Sequence, residues 1–337
     1  MAMSLVGSSP LIAEPKRVSG RTPPRLFDIE KVMPAIKPYR RKAIRLHPTR
    51  ATAPLPSNAS KMGGKFHWPS SEPWPYCSES DPPPDPGIAQ AEDDTSEELQ
   101  QAVNEIRRPH STAYQAMVQL RRDEFPELPW PPGSDLFQLL WCPSVHMWGN
   151  SLDTKSSQSS GARIVWRRES TVRAVLQTQS PRVPRFPLHE CAFEPEDIFE
   201  YPQSVETPPA IEAAIPKLQG WFDALQPRKA NDPGAEWRYS YDIAASPGTK
   251  LFGWAQWVQA VEIPTCGCGR EMKLLLTCAS DESNDPGVWD TVSIEPLTGK
   301  EDFHHPFGFE WGDWSNAYVF YCAAGHRINT ATIVQSS

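Results

Sequence analysis

The sequence predicts a sheet-rich α+β protein built from two related halves. Two matching segments recur far apart along the chain, several apolar runs have the length of strands, and proline is abundant. The 337 residues include 37 prolines and 19 glycines, with 39% hydrophobic residues and 13 tryptophans. This composition excludes collagen, long helical bundles and wholly disordered chains, and it supplies enough apolar surface for a sizeable core.

The internal match is the strongest of these observations. Residues 61–77 align without gaps to residues 250–266, and every pair is separated by 189 positions. The identical pairs are Lys61/Lys250, Gly64/Gly253, Trp68/Trp257, Pro75/Pro264 and Cys77/Cys266. A second block follows in each copy, at 135–142 and 271–278, and both blocks end in cysteine. Recurrence at a fixed offset is typical of duplication, so the sequence predicts two halves of related structure.

Apolar runs of strand length define the predicted sheet elements. They are too short for buried helices and end at turn signals. The predicted strands are Ala43–His47, Leu136–Trp141, Ala162–Arg167, Met272–Thr277 and Ala317–Cys322.

The first copy is predicted to carry a proline-rich helical insertion at 78–133, between its two blocks. The insertion begins with an acidic, proline-rich run. A capping-box pattern from Thr95 to Glu98 then predicts a helix beginning near Ser96. A second short helical pattern passes through Tyr114, Met117 and Val118. We expect the insertion to project from the core.

These features divide the chain into four segments. A proline-rich basic arm occupies 1–40, the first half 41–205, and the second half 250–337. Between the halves, 206–249 is predicted to form a connecting helix and linker, with the helix beginning after Pro208 and Pro209.

Charge is unevenly distributed and argues against nucleic-acid binding. The first 50 residues carry eleven Lys and Arg against three acids, whereas Glu72–Glu105 has ten acids and no Lys or Arg. An acidic stretch of this kind repels phosphate backbones. The N-terminus lacks the pattern of a signal peptide, and no run approaches the ~20 apolar residues that cross a bilayer. The sequence therefore predicts a cytoplasmic protein with neither nucleic acid nor membrane as a partner.

Seven blocks of the sequence together carry a family resemblance. They are IRLHPTR (44–50), SKMGGKFHWPSSEPWPYC (60–77), DLFQLLWCPSVH (135–146), FEYPQ (199–203), KLFGWAQWVQ (250–259), CGCGREMKLLLTCAS (266–280) and WGDWSNAYVFYC (311–322). The chain resembles the YwqG-like family of bacterial proteins, a domain of unknown function, and within it the longer actinobacterial branch. The resemblance implies a duplicated α+β fold and no particular catalytic residues. In that branch a small residue and a glycine follow the Gly-Asp turn, where this chain has Trp314 and Ser315, and a second cysteine follows the last-strand cysteine, where this chain has His326.

Cys266, Cys268, Cys322 and His326 form the constellation with the most specific spacing. Structural zinc takes four tetrahedral nitrogen or sulfur ligands, and close pairs from two distant segments commonly supply them. The sequence therefore predicts a structural zinc site, with Cys278 as a substitute ligand for His326. Thiols without a metal, and a redox-active pair, are the open alternatives.

Tryptophans in loops define the predicted binding site. Aromatic residues on loops are common anchors of recognition surfaces, although packing in the core or against a loop is the more common role of such residues. The residues assigned to an aromatic cleft between the halves are Trp68, Trp74, Trp254, Trp257, Asp313 and Trp314.

Known catalytic patterns are absent from the sequence. It contains no G-x-S-x-G elbow, no P-loop and no H-E-x-x-H. We therefore expect a non-catalytic binding protein that recognises a protein partner, such as a toxin, in an immunity or antitoxin-like role. The alternative is an enzyme or small-molecule-binding protein that uses the same cleft through residues such as Asp313, His67 and Glu310.

Overall fold

The computed structural model describes residues 17–23, 25, 28–77, 112–142, 161–179, 188–218, 220, 239–282, 305–309, 315–324 and 330–335. Strands dominate these residues. The strands are β1 (Arg41–Arg45), β2 (Thr49–Arg50), β3 (Lys61–Met62), β4 (Tyr76–Cys77), β5 (Thr112–Ala113), β6 (Gln115–Arg121), β7 (Leu136–Trp141), β8 (Ala162–Arg167), β9 (Cys191–Ala192), β10 (Glu196–Glu200), β11 (Lys250–Phe252), β12 (Lys273–Ala279), β13 (Asn316–Tyr321) and β14 (Thr330–Gln335).

The helices are short. The described helices include α1 (Ile29–Val32), α2 (Pro209–Glu212), 3-10 helices at Pro34–Tyr39, Glu169–Thr171 and Ser204–Glu206, and a π-helix at Tyr239–Ala244, and residues 215–218 are helical as well. The sequence predicts a helix that begins after Pro209, whereas α2 begins at Pro209 itself, because proline is tolerated in the first turn of a helix. No helix in the described part of the chain is both long and apolar enough to cross a bilayer.

The strands form two six-stranded sheets and one small two-stranded sheet. The first large sheet has the order β2-β9-β3-β6-β7-β8, and the second has the order β10-β1-β11-β12-β13-β14. All neighbouring strands in both are antiparallel. β4 pairs with β5 alone. The sheet-rich character expected from the sequence is confirmed.

If the chain is divided between β8 and β9, each large sheet takes one strand from the other part of the chain. β9 lies between β2 and β3 in the first sheet, and β1 lies between β10 and β11 in the second. The chain therefore crosses from one sheet to the other between β1 and β2, and again between β9 and β10.

The two sheets share the same pairing register. Residues that face one another across successive strands are Lys61–Gln119–Gln138–Val165 in the first sheet and Lys250–Thr277–Tyr318–Ile333 in the second. Each sheet has a register irregularity at the same place in its ladder, between Ala116 and Val118 in one and between Leu274 and Leu276 in the other. Positions in one sheet can therefore be matched to positions in the other, residue by residue.

This register corrects the second block of the sequence alignment. β7, which contains most of 135–142, is the fifth strand of its sheet, whereas β12 is the fourth strand of the other. The counterpart of 135–142 is 315–322, which contains β13 and also ends in a cysteine, Cys322. Both candidate partners are apolar runs of equal length, so the sequence alone could not separate them.

The predicted insertion is also corrected in its described part. Residues 115–121 form β6, a central strand whose residues are mostly buried, and the helix expected through Tyr114, Met117 and Val118 is wrong. A short apolar run shows both strand and helix periodicity, and pairing with β3 and β7 settles it as a strand. Thus 112–121 does not project from the core. The helix expected near Ser96 lies outside the described residues.

The predicted strands are present with small shifts at their ends. Leu136–Trp141 and Ala162–Arg167 are confirmed with the same bounds. The strand expected at Ala43–His47 is β1, which ends at Arg45, and His47 has a φ of 44°. That conformation is incompatible with an extended strand.

Residues of both sheets build one shared core, and each sheet carries a further apolar cluster on its other side. Ile44, Leu251 and Leu276 of the second sheet pack with Val118 and Leu139 of the first in the shared core. The outer cluster of the first sheet includes Trp68, Trp74, Ala116 and Leu140. That of the second sheet includes Trp257, Leu274 and Phe320. The segment 28–40, expected to be part of an arm, contributes Ile29, Met33 and Ile36 to a separate cluster with Tyr201 and Tyr239.

Candidate functional site

A pocket of about 510 Å³ opens on the outer side of the second sheet. Its volume is within the ~300–1,000 Å³ of typical ligand sites. Residues of β1, β11, β12 and β13 and the loop after β11 surround it, and the lining residues used below are Arg41, Glu206, Trp254, Trp257, Ile263 and Phe320. Two of the tryptophans predicted from the sequence, Trp254 and Trp257, therefore border one cavity.

Arg41 forms one wall through contact with Trp254. Its guanidinium carbon lies 3.3 Å from the centroid of the Trp254 ring. Trp254 is fixed by two hydrogen bonds, from its backbone N–H to Glu200 and from its indole Nε1 to the carbonyl of Tyr39. Burial lowers the pKa of Arg41, and the carboxyls of Glu206 and Glu200 oppose that shift. The wall is thus a partly desolvated cation held on an aromatic face.

Trp257 forms the opposite wall and leaves a polar atom without a partner. Its ring lies 4.9 Å from that of Tyr318 and stacks on Phe320 at 6.1 Å, and its backbone N–H donates to Gln203. The side chain is 4% exposed. Its Nε1 finds no hydrogen-bond partner among the described residues. A buried donor of this kind costs about 1–3 kcal/mol when left unpaired.

Glu206 supplies a second unpaired atom. It ends the 3-10 helix at Ser204–Glu206, and burial raises the pKa of its carboxyl to about 7. Trp257 and Arg41 oppose that shift, so both face the carboxyl. Within the described part of the chain, Oε2 has no partner in hydrogen-bond geometry. The pocket therefore presents a donor, an acceptor and a cation to whatever occupies it.

A buried ion pair fixes the strand from which the pocket residues extend. Lys250 and Glu200 are both 0% exposed, and Lys250 Nζ lies 2.6 Å from Glu200 Oε1. Gly253 has a φ of 71°, and a Cβ there would lie 2.2 Å from Glu200 Oε2. Only glycine permits the carboxylate to approach so closely.

The same arrangement recurs in the first sheet, and it explains two of the repeated residues. Lys61 Nζ lies 2.8 Å from Glu190 Oε1, and a Cβ on Gly64 would lie 2.2 Å from the same oxygen. The sequence match showed the lysine and the glycine. It did not show their carboxylate partners, because Glu190 and Glu200 lie outside the aligned blocks.

Trp68 and Trp74 lie away from the pocket, in the outer cluster of the first sheet. Their ring centroids are 5.1 Å apart, and they are 2% and 6% exposed. Arg167 covers Trp68 at 4.4 Å from its ring centroid. Of the tryptophans assigned to the predicted cleft, two therefore lie in the outer cluster of the first sheet, and two, Trp254 and Trp257, line the pocket of the second sheet.

Three of the four predicted metal ligands lie together. The sulfur atoms of Cys266, Cys268 and Cys322 lie within 4.8 Å of one another, and those of Cys268 and Cys322 are 3.7 Å apart. A tetrahedral zinc with ~2.3 Å bonds to sulfur requires sulfur atoms about 3.8 Å apart. The three thiols fit a metal ion. Burial, followed by the two neighbouring thiols, raises the pKa of Cys322.

A tight turn brings these thiols together. Cys266 N–H donates to the carbonyl of Arg270, and Gly269 N–H donates to the carbonyl of Cys266. Gly269 has a φ of 81°, which suits such a turn. Cys322 directly follows β13, so the cluster joins the turn to the end of that strand. Cys278, the substitute ligand, instead lies in the shared core.

The remaining predicted site residues separate into two groups. Asp313, Trp314, His326 and Glu310 lie outside the described residues. His67 is described, and it lies near the first sheet, where its backbone N–H donates to Gln119. It does not line the pocket.

Sequence reasoning missed Arg41, Glu206 and Ile263 as pocket residues. Arg41 belonged to a basic run, and Glu206 to a predicted linker. One signal was available for Ile263, since the gapless alignment of 61–77 with 250–266 places it opposite Trp74. Replacement of a large aromatic by a smaller residue in matched segments points to a cavity.

Comparison with known proteins places the chain in a family. No curated protein matches it significantly. A family model described as "Domain of unknown function (DUF1963)", the family of the YwqG-like proteins, matches residues 60–320. The match covers more than three quarters of the 337 residues and extends from β3 into β13. The chain belongs to this DUF1963 family.

Proposed function

We propose that this protein is a non-catalytic binding protein whose recognition site is the pocket between Arg41 and Trp257. One observation carries the proposal: a pocket of ligand size contains the buried indole N–H of Trp257 beside the Glu206 carboxyl, and neither that N–H nor Glu206 Oε2 has a partner in hydrogen-bond geometry in the described part of the chain. Unpaired buried polar atoms cost free energy, and a bound group that pairs with them recovers it. A protein partner is favoured by exposed apolar residues beside the pocket.

Those residues are Phe199, Val205 and Ile263, which are 52%, 61% and 39% exposed. Ile263 lines the pocket, and Val205 adjoins Glu206. Phe199 faces Lys42, another lining residue, across the β1–β10 pair, so both side chains project from the same side of the sheet. Exposed apolar side chains gathered around one pocket favour a protein contact there. The net charge of −8 favours a partner that is basic overall, as in an immunity or antitoxin-like role against a toxin, whereas the cation of Arg41 in the pocket wall favours an acidic side chain at the point of contact.

Peptide display tests the proposal. A random peptide library is panned against the wild type, against Arg41→Gln combined with Glu206→Gln, and against Lys31→Gln as a control with an exposed charge removed elsewhere. We expect a peptide class that binds the wild type and Lys31→Gln but not the double variant. Peptides that bind all three equally would overturn the proposal.

A second candidate function rests on Glu206. A carboxyl with a pKa of about 7 is suited to give and take protons at neutral pH. An enzyme that uses Glu206 as its acid or base would lose turnover in Glu206→Gln while it keeps substrate affinity. Loss of affinity in the same variant, without any turnover in the wild type, favours the binding protein.

We further propose that the metal held by the three thiols is zinc. Thiolates and tetrahedral spacing favour zinc over oxygen-preferring ions. Zinc would tie the turn at Cys266 to the end of β13, next to the pocket wall. Elemental analysis of protein purified without chelators should give about one zinc per chain, and Cys268→Ser should lower that ratio while Cys142→Ser should not.

The two halves are proposed to be copies of one ancestral unit. Support comes from the shared strand order, the shared register and the repeated ion pair. We also propose that residues 78–111 are a proline-rich insertion in the first copy. Aligned sequences of the DUF1963 family, cut at the boundary before β9, would test it, because duplicated halves should align with each other across the whole family.

A further inference from the structure

The pocket is the position that a tryptophan fills in the first sheet. Around Trp74 lie Ala113, Tyr114, Ala116 and Leu140. By the register of the strands, their counterparts in the second sheet are Glu271, Met272, Leu274 and Phe320. All four counterparts line the pocket. The walls that enclose an indole in one sheet therefore enclose a cavity in the other.

Ile263 occupies the place of Trp74 in the second sheet. Trp74 precedes Pro75, whose carbonyl accepts the backbone N–H of Tyr114 at 3.1 Å. Ile263 precedes Pro264, whose carbonyl accepts the backbone N–H of Met272 at 2.9 Å. The backbones match, but the isoleucine side chain is much smaller than an indole and is 39% exposed, against 6% for Trp74.

The hydrogen bonding of the matched tryptophans also differs between the two sheets. In the first sheet, Trp68 Nε1 donates to the carbonyl of Glu72 at 3.2 Å, so the chain's own segment pairs it. Its counterpart Trp257 Nε1 has no carbonyl acceptor of this kind among the described residues, and the neighbouring Glu206 carboxyl does not reach it in hydrogen-bond geometry. Beside it, Arg41 has no carboxylate within ion-pair distance in the described ranges and contacts only the face of Trp254 as a cation. The second sheet thus lacks an aromatic ring, a carbonyl and an anion. In the first sheet Trp74 supplies the ring, and Glu72 supplies both the carbonyl and a carboxylate, which pairs with Arg167.

We propose that the pocket receives an aromatic side chain, with its adjoining carbonyl, from an extended acidic segment of a partner protein. The ring takes the position that corresponds to Trp74. The carbonyl accepts from Trp257 Nε1, and an acidic side chain pairs with Arg41. This inference rests on the proposed function and specifies the ligand of that same pocket.

Residues 70–76 of this chain, Ser-Ser-Glu-Pro-Trp-Pro-Tyr, provide the probe, because they fill the corresponding space in the first sheet. Calorimetric titration would measure binding of this synthetic peptide, of a version with alanine in place of tryptophan, and of indole-3-acetate. We expect the wild type to bind the tryptophan peptide at least about tenfold more tightly than the alanine peptide.

Two substitutions at one position make the test specific. Ile263→Trp should fill the pocket with the protein's own indole and weaken peptide binding about tenfold or more, whereas Ile263→Val keeps the pocket open and should bind like the wild type. Ile263→Phe replaces Ile263→Trp if the latter does not give the wild-type circular dichroism spectrum.

The outcomes are distinguishable. Equal affinity of wild type and Ile263→Trp, or of the two peptides, overturns the inference. Binding of indole-3-acetate without binding of the peptide also overturns it, in favour of a free aromatic acid. If display instead yields pocket-dependent peptides that lack aromatic residues, the inference fails while the proposed function stands.

Discussion

Lys250 and Glu200 form an ion pair that is inaccessible to solvent on both sides, with 2.6 Å between Nζ and Oε1. The carboxylate also accepts from the backbone N–H groups of Ser246 and Trp254, and the ammonium donates to the carbonyl of Ser246. Removal of one partner leaves a buried charge uncompensated. This pair therefore holds together β10, β11 and the loop that carries Trp254.

Lys250→Met should destabilise the protein by about 3–5 kcal/mol, because Glu200 would remain buried and unpaired. Lys42→Met provides the control, since Lys42 pairs with Asp197 at the surface and should cost under about 1 kcal/mol. Urea unfolding monitored by tryptophan fluorescence measures both. Equal losses in the two variants would contradict the role assigned to the buried pair.

Gly253→Ala should be costly for two reasons. Its positive φ disfavours any side chain by about 1–2 kcal/mol, and the new Cβ would overlap Glu200, whose displacement breaks the buried pair. Gly20 isolates the first effect, because it has a φ of 80° and a Cβ added there would meet no atom within 4 Å among the described residues. We expect Gly20→Ala to lose about 1 kcal/mol and Gly253→Ala at least twice that. Thermal unfolding of both variants gives the comparison.

Acid should weaken the fold through His47 and Glu196, whose Nε2 and Oε2 lie 3.0 Å apart. Burial lowers the pKa of His47 to about 4, so the folded imidazole stays neutral while the unfolded one takes a proton below pH 6.5. Burial alone would raise the pKa of Glu196, but hydrogen bonds from His47 and Thr22 outweigh it and lower that pKa to about 2. Both shifts make stability fall as pH decreases.

The loss attributable to His47 should extend from pH 6.5 to about 4 and reach on the order of 3 kcal/mol, and that of Glu196 should follow below pH 4.5. His47→Asn retains a residue that tolerates positive φ but removes the titration. Its free energy of unfolding should change less than that of the wild type between pH 7 and 4. Parallel curves for the two proteins would contradict the assignment.

Chelation should lower the melting temperature of the wild type if the thiol cluster holds a metal, because the binding energy of a structural metal contributes to folding. Cys268→Ser should melt lower than the wild type and show no further response to the chelator. Cys142→Ser, with its substitution outside the cluster, should still respond. A chelator without effect on the wild type would exclude a stabilising metal.

Trp74→Ile tests the match between Trp74 and Ile263, because it places in the first sheet the residue that the second sheet has. It should cost about 2–4 kcal/mol by leaving a cavity against Trp68, whereas Ile263→Val should cost at most about 1.5 kcal/mol. Denaturant unfolding of both variants measures the difference. Similar values would show that Trp74 is not an essential part of the outer cluster.

The sequence predicted strands best where the chain is buried on both faces. Leu136–Trp141 is such a strand, since Leu139 packs into the shared core and its neighbour Leu140 into the outer cluster. Continuous apolar runs are typical of this environment. β6 does not show a continuous apolar run, because glutamines interrupt it. One of them, Gln119, is nevertheless buried, and its side chain donates hydrogen bonds to the carbonyls of Ser57 and Ala59. No local sequence pattern reveals these contacts.

The site was predicted less well than the strands. The cysteine cluster could be predicted because two of its members, Cys266 and Cys268, are only two residues apart in the sequence, which is a spacing typical of metal ligands. Trp254 and Trp257 were found by residue type, but Arg41 and Glu206 reach the pocket through strand pairing with segments far away in the chain. Residues that strand pairing brings together from distant parts of the chain cannot be recognised as one site from a single sequence.

The exchange of β1 and β9 between the sheets has a consequence for the order of folding during synthesis. β9, at Cys191–Ala192, must leave the ribosome before it can complete the first sheet, although β3, β6, β7 and β8 are made earlier. β1 emerges early, yet its partners β10 and β11 are made about 150–200 residues later. Both edges of β1 lack their partner strands until β10 and β11 have been made, and unpaired strand edges can bind other chains. We therefore expect that β1 must be kept from pairing with other chains for most of the time that the protein is translated. A chain truncated before β10 should aggregate.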